Sequence, residues 1–371
     1  MTPSHPGHLL LVGLPGPTLD AATAATLRRV QPGGYILFTR NIRDPRELRT
    51  LLDDLRDLSD APNPVITIDQ EGGRVSRLKA LGNEPPGATA LRALDDAEVV
   101  AHHGDLTARL LRLFGFNLDL CPVLDLCING DESVDNSLRG RCYGVDVPQT
   151  LRLAGVFNAA LRAGGISSCG KHFPGYTYAR ADAHHELPTI ARSRAELEAE
   201  ELAPYRALAN QLDSVMVCHA HYPCLEGDGA PLPASLSRPV ITDLLRQDIG
   251  FQGLVITDDL DMGAVLNGYG LEQTLHLAVG AGADMAMICH RVDQLETARR
   301  YLEHAPTADL DRALASVAAA RAKLAAPTAF SDEAFRALDA EVWNLRVAVM
   351  GEEAARDRAP EDGKRSPVEL Y

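Results

Sequence analysis

Eight short apolar runs recur along the chain: Leu9–Val12, Tyr35–Phe38, Val65–Ile68, Leu118–Leu124, Ile166–Cys169, Ser214–Cys218, Leu254–Thr257 and Met285–Cys289. Their apolar character is continuous rather than alternating. A strand wetted on one face alternates every second residue, whereas a strand covered on both faces does not. The runs therefore predict a parallel sheet buried on both sides. Helical patterns fall between most of them. Asp44-Pro45-Arg46-Glu47 offers an N-cap, a proline at the first helical position and an acid at the third. Asp95 to Phe114 is a long helical pattern closed by Gly115, and Ser193-Arg194-Ala195-Glu196 reads as a capping box opening a helix to about Asn210.

Strands alternating with helices predict an α/β fold, a (β/α)8 TIM barrel. A doubly wound open sheet is the alternative, but no Gly-x-Gly-x-x-Gly follows the first run. After Arg291 the strand pattern stops. Leu310–Leu324 and Ser331–Val349 read as helices, and Glu352–Tyr371 is charged and nearly devoid of apolar residues. The expected organisation is a catalytic barrel over 1–305, helices packed on it over 306–350 and a disordered tail over 351–371.

Composition narrows the partners. The net charge of −15 disfavours nucleic acid and anionic membranes, and the 46% hydrophobic content suffices for one large core. No segment approaches the ~20 apolar residues of a membrane helix. The run Leu9 to Leu14 lacks a preceding basic residue and is too short for a signal core. The seven cysteines are scattered without a Cys-x-x-Cys pair, which suits reduced thiols in a cytoplasmic protein.

In such a barrel the chemistry lies at the carboxyl ends of the strands. Polar residues gather there: Asp69, Glu71, Arg74 and Arg77 after the third run, Asp125 after the fourth, Lys171 and His172 after the fifth. His219 and His221 follow the sixth, Asp258 and Asp259 the seventh, and His290 the eighth. Asp182 and His184 stand two apart in the loop after the fifth run, a spacing that suits a carboxylate orienting an imidazole. For Asp258 and Asp259, successive strand residues face opposite ways, so only one need reach a cavity. A helix N-cap suits the other. His219-x-His221 raises a metal site, but the first run ends Gly13-Leu14-Pro15-Gly16 without a ligand, so neither metal nor cofactor is expected.

Lys171-His172-Phe173-Pro174-Gly175, six residues, then Asp182-x-His184 resembles the signature of the bacterial β-N-acetylglucosaminidases of glycoside hydrolase family 3. Further matches stand in order along about residues 8 to 290: Asp69-Gln70-Glu71-Gly72-Gly73-Arg74-Val75-x-Arg77, Arg141-Cys142-Tyr143-Gly144, Met216-x-x-His219-x-x-Tyr222-Pro223 and Thr257-Asp258-Asp259-Leu260. The resemblance implies a retaining exo-glycosidase that removes terminal β-linked N-acetylglucosamine, in a role of cell-wall muropeptide recycling. It implies Asp258 as nucleophile and His184 as acid/base with Asp182 as its partner. Asp69, Arg77, Arg141, Lys171, His172 and His219 then bind or shape the sugar pocket, with Glu71 and Arg74 as supports. The partner is a small carbohydrate.

The chain departs from the family pattern at several positions. Tyr176-Thr177 stands for a usual His-Gly, Ala183 for Ser, Arg139 for Gly, and Val147 is inserted before Pro148. These departures open an altered leaving group. Rival readings are a β-glucosidase or a phosphorylase of the same family, and a non-catalytic sugar-binding protein. The β-glucosidases normally carry an acid/base Glu on a second domain, which a chain of this length is not expected to hold.

Overall fold

The computed structural model describes residues 5–60, 62–128, 138–227 and 229–358. Eight parallel strands close into a barrel: β1 Leu10–Gly13, β2 Gly34–Leu37, β3 Val65–Ile68, β4 Leu118–Asp119, β5 Ser167–Phe173, β6 Ser214–Val217, β7 Leu254–Asp259 and β8 Met285–Ile288. Each pairs with its sequence neighbours, and β1 pairs with β8 to seal the ring. The fold is the expected (β/α)8 barrel. Its strands are buried almost throughout, which is why they read as unbroken apolar runs.

Two local expectations fail for the same reason. The fourth strand stops at Asp119 instead of Leu124, because Pro122 has no N–H to give a ladder; only Val123 returns to bridge Lys171. The helix expected from Ser193 to Asn210 breaks into Arg194–Ala199 and Ala203–Leu208, with Pro204 restarting the second piece. The caps behave locally. Asp44 accepts the N–H groups of Arg46 and Glu47, and Ser193 and Glu196 form a capping box. The helix Ala97–Phe114 ends on Gly115 at φ 106°.

Helices Thr307–Arg321 and Asp332–Met350 follow the barrel. The second lies against Ala97–Phe114, with Phe114 packed on Phe330 and Phe335. Asp339 accepts from the Asn83 side chain at 2.8 Å, and Arg346 bonds buried Glu84 at 3.0 Å. Pro85 in turn accepts the Gly73 N–H, so the extension braces the loop that carries Asp69 to Arg77. The first residues of the expected tail are ordered. Glu352–Ala355 form a helical turn, and Arg346 donates to the Ala355 carbonyl at 2.8 Å. Residues 359–371 lie outside the described residues. Among the described residues no helix is long and apolar enough to cross a membrane.

Candidate active site

A cavity of about 680 Å³ opens at the carboxyl ends of the strands. Ile36, Leu120, Met216 and Met287 from four strands or their ends give it an apolar base. Around that base stand Asp69, Arg77, Arg141, Lys171, His172, Asp182, His184, Asp258 and Asp259.

One side is a network of buried ions. Lys171 Nζ lies 2.7 Å from both Asp69 Oδ1 and Glu71 Oε1. Arg141 holds Glu71 with two nitrogens, at 2.9 and 2.7 Å. Arg77 stands 3.6 Å from Asp69. Burial alone pushes the Asp69 and Glu71 carboxyls up. The neighbouring cations, Lys171 with Arg77 for Asp69 and Arg141 with Lys171 for Glu71, overcome burial and hold both below their ordinary values. Arg74 donates to the Arg139 carbonyl at 2.8 Å, steadying the turn that presents Arg141. The extra Val147 is absorbed at the start of the helix Val147–Ala163, which Asp146 caps.

Asp125 ties this side to the loop after β5. Its Oδ2 accepts from the His172 ring at 2.7 Å and the His172 N–H at 3.1 Å, while Oδ1 accepts the Tyr176 N–H at 2.6 Å. His172 is thereby fixed with its proton on Nδ1 and its Nε2 3.5 Å from Arg141. Gly175 makes the turn at φ 139°, where a Cβ would sit 2.4 Å from Glu201.

On the other side Asp182 Oδ1 accepts from His184 Nδ1 at 2.6 Å and from the His184 N–H at 3.0 Å. That bond leaves Nε2 as the basic nitrogen of the neutral ring. Burial acts to raise the Asp182 carboxyl, but the His184 hydrogen bond and charge outweigh it, so Asp182 stays ionised below its ordinary value. The His184 and Ala183 carbonyls accept the N–H groups of Gly263 and Ala264, each at 3.0 Å. A Cβ on Gly263 would stand 2.7 Å from the His184 and His185 carbonyls, so a glycine there lets the loop after β7 touch the loop after β5.

Asp258 and Asp259 end β7, and both line the cavity. Neither caps a helix, contrary to the expectation for one of them. Asp259 instead accepts the N–H groups of Asp261 and Cys289, joining β7 to β8. His219 needs a correction too. It is fully buried and absent from the cavity lining; Nε2 lies 2.8 Å from the Asp259 carbonyl and Nδ1 2.7 Å from Ser235 Oγ. Burial pushes its pKa down, so it is a neutral ring donating to the β7 backbone. It supports the strand end that carries Asp258 and Asp259. Among the described residues, Asp259, Cys289 and His290 could converge on a metal. Burial and the Asp259 charge hold the Cys289 thiol well above its ordinary value.

Sequence reasoning missed the site roles of Phe38, whose ring lines the cavity 5.8 Å from the Arg77 guanidinium, of Asp125 and of Tyr176. Asp125 was visible only as one polar residue beyond Pro122, and Tyr176 only as a departure from a pattern.

The family model for the glycosyl hydrolase family 3 N terminal domain matches residues 6–320. The chain belongs to glycoside hydrolase family 3. The beta-hexosaminidase of Pseudomonas aeruginosa is 35% identical over 296 residues, covering 79% of this chain and 86% of that one. A family 3 beta-N-acetylglucosaminidase from Paenibacillus sp. superposes with a TM-score of 0.82 at 31% identity, over 93% of this chain and 68% of that one. NagZ from Neisseria gonorrhoeae superposes with a TM-score of 0.77 at 28% identity, over 91% and 97%. This family 3 chain is therefore a glycoside hydrolase.

Proposed function

We propose that the enzyme is a retaining exo-glycosidase that removes terminal β-linked N-acetylglucosamine. The observation that carries this reading is that Asp258, at the end of β7, and the Asp182–His184 pair, in the loop after β5, line one cavity, and that the loop after β7 touches the loop after β5. Double displacement needs a carboxylate to attack the anomeric carbon and a second group to protonate the departing oxygen. Asp258 takes the first role. His184, cationic at that moment, gives its Nε2 proton to the leaving group. The neutral ring then removes a proton from the water that releases the sugar from Asp258. Asp182 holds the tautomer and stabilises the cation throughout. Asp69, Arg77, Lys171, His172 and Arg141 meet the sugar hydroxyls. The names of the similar proteins supply the N-acetylglucosamine preference; muropeptide recycling rests on the resemblance alone.

The test is a leaving-group series of N-acetyl-β-glucosaminides, with and without phosphate. General acid help contributes about 10²–10⁴-fold. His184→Ala should therefore lose most on poor leaving groups and least on activated aryl groups, with covalent intermediate accumulating on the latter. A fluorinated donor should label Asp258, as read by peptide mapping. An equal loss across the series, a label on Asp259, or turnover that requires phosphate would overturn the reading.

A further inference from the structure

The loop that carries Asp182 and His184 has no regular secondary structure from Thr177 to Pro188. Tyr176 sits at its root. The tyrosine hydroxyl donates to the Ala181 carbonyl at 3.1 Å and accepts the Ala183 N–H at 3.0 Å. One hydroxyl therefore grips the peptide groups on both sides of Asp182, using its donor and one lone pair. The other end of the same residue is anchored as well, since the Tyr176 N–H reaches Asp125, the carboxylate that also orients His172. The ring lies 6.1 Å from the His172 ring and is 6% exposed, so water competes poorly for these bonds. Burial also pushes the phenol far above its ordinary value, which keeps the donor proton in place.

We propose that Tyr176 is a positioning residue, a strut whose hydroxyl holds Asp182, and through it His184, at a fixed place relative to the sugar side of the cavity. The assignment rests on the reading of His184 as acid/base. Tyr176 forms no bond with a reacting atom; it sets how often the dyad is in place. The departure at this position, with Ala183 beside it, then has a purpose: the small Ala183 side chain lies buried against the cavity while its backbone N–H serves the clasp.

Tyr176→Phe removes the clasp and keeps the ring. Two hydrogen bonds at their usual net worth correspond to about a ten- to hundred-fold rise in local opening. Amide exchange of the 177–187 segment, followed by mass spectrometry on the intact enzyme, should accelerate by that factor. If the competent loop falls to roughly a tenth of the population, kcat on an alkyl N-acetyl-β-glucosaminide falls about tenfold. KM on that substrate should stay within about twofold, and kcat/KM on activated aryl substrates, which reports the glycosylation step and needs little protonation, should lose little. Wild-type exchange in the variant, or a wild-type leaving-group slope, would overturn the strut. A failure of the acid/base reading looks different: His184→Ala itself would then lose equally on all substrates, and the exchange rate alone would decide whether Tyr176 holds the loop.

Discussion

The two sides of the cavity are built on opposite principles. The side proposed to meet the sugar is a network of ions drawn from distant parts of the chain. Its Lys171, Glu71, Arg141 and Arg77 side chains are 1–5% exposed, and the partners of Lys171 and Arg141 lie 70 to 102 residues away. The acid/base side is a local turn, with Asp182 and His184 two residues apart and their side chains 20% and 10% exposed. Buried charges need one another, so the first side cannot be altered without touching the fold. A partly wet turn held by hydrogen bonds can be altered almost alone. With the roles proposed above, recognition is tied to stability, while proton transfer is separable from it.

Lys171→Met breaks the comparison from the sugar side. It leaves Asp69 and Glu71 buried against fewer cations, and removing one partner of a buried charge cluster costs about 3–5 kcal/mol. Denaturant unfolding should show a midpoint lowered accordingly, with activity lost in parallel. A variant within about 1 kcal/mol of wild type would mean that the network does not share its charges in this way.

Asp182→Asn probes the other side. The ring of His184 remains, but its tautomer and cation are no longer held. Activity on poor leaving groups should fall roughly ten- to a hundred-fold, the lower part of what a general acid supplies. Stability should fall by no more than about 1 kcal/mol, the usual net worth of one hydrogen bond. A large loss of stability with intact turnover would reverse the assignment of the two sides.

The same division explains what could be read from the chain. Each barrel strand announces itself in a few adjacent apolar residues, because covering both faces of β2 or β3 is a local demand on composition. Asp258, Lys171 and the Asp182–His184 spacing stand in short motifs beside such strands. The inward burial of His219 was hidden, since its neighbours Ser235 and the Asp259 carbonyl are distant in sequence. The break at Pro204 and the early end of β4 before Pro122 were legible in principle, but the apolar pattern ran across both prolines. Tyr176 stood out only as a departure from a pattern; its hydroxyl acquires meaning only when the turn folds back on it.

Within the sugar side, one acid sharpens the rule that a cation decides which buried carboxyls ionise. Asp119, at the end of β4, is fully buried, and its Oδ1 accepts the Gln70 N–H at 3.0 Å. Burial pushes its pKa up to about 8; the Gln70 N–H and Lys171 only partly oppose that, and the negative Asp69 and Glu71 add to it. Asp69 and Glu71, in contact with cations, are ionised; Asp119, one step away, keeps its proton. The consequence for stability has a definite sign. An unfolded Asp loses its proton near pH 4, whereas the folded Asp119 keeps its own to about pH 8, so the native state binds more protons across that window. Its contribution to stability must therefore fall as pH rises from about 4 to 8. Asp119→Asn keeps an oxygen for the Gln70 N–H and carries no titrating proton. The difference in unfolding free energy between variant and wild type should then move in favour of Asn by at least about 1 kcal/mol from pH 5 to pH 8, measured by denaturant titration at each pH. A difference that stays flat over those pH values would mean that Asp119 is ionised in the folded protein, and that Lys171 reaches further into the floor of the site than its contacts with Asp69 and Glu71 suggest.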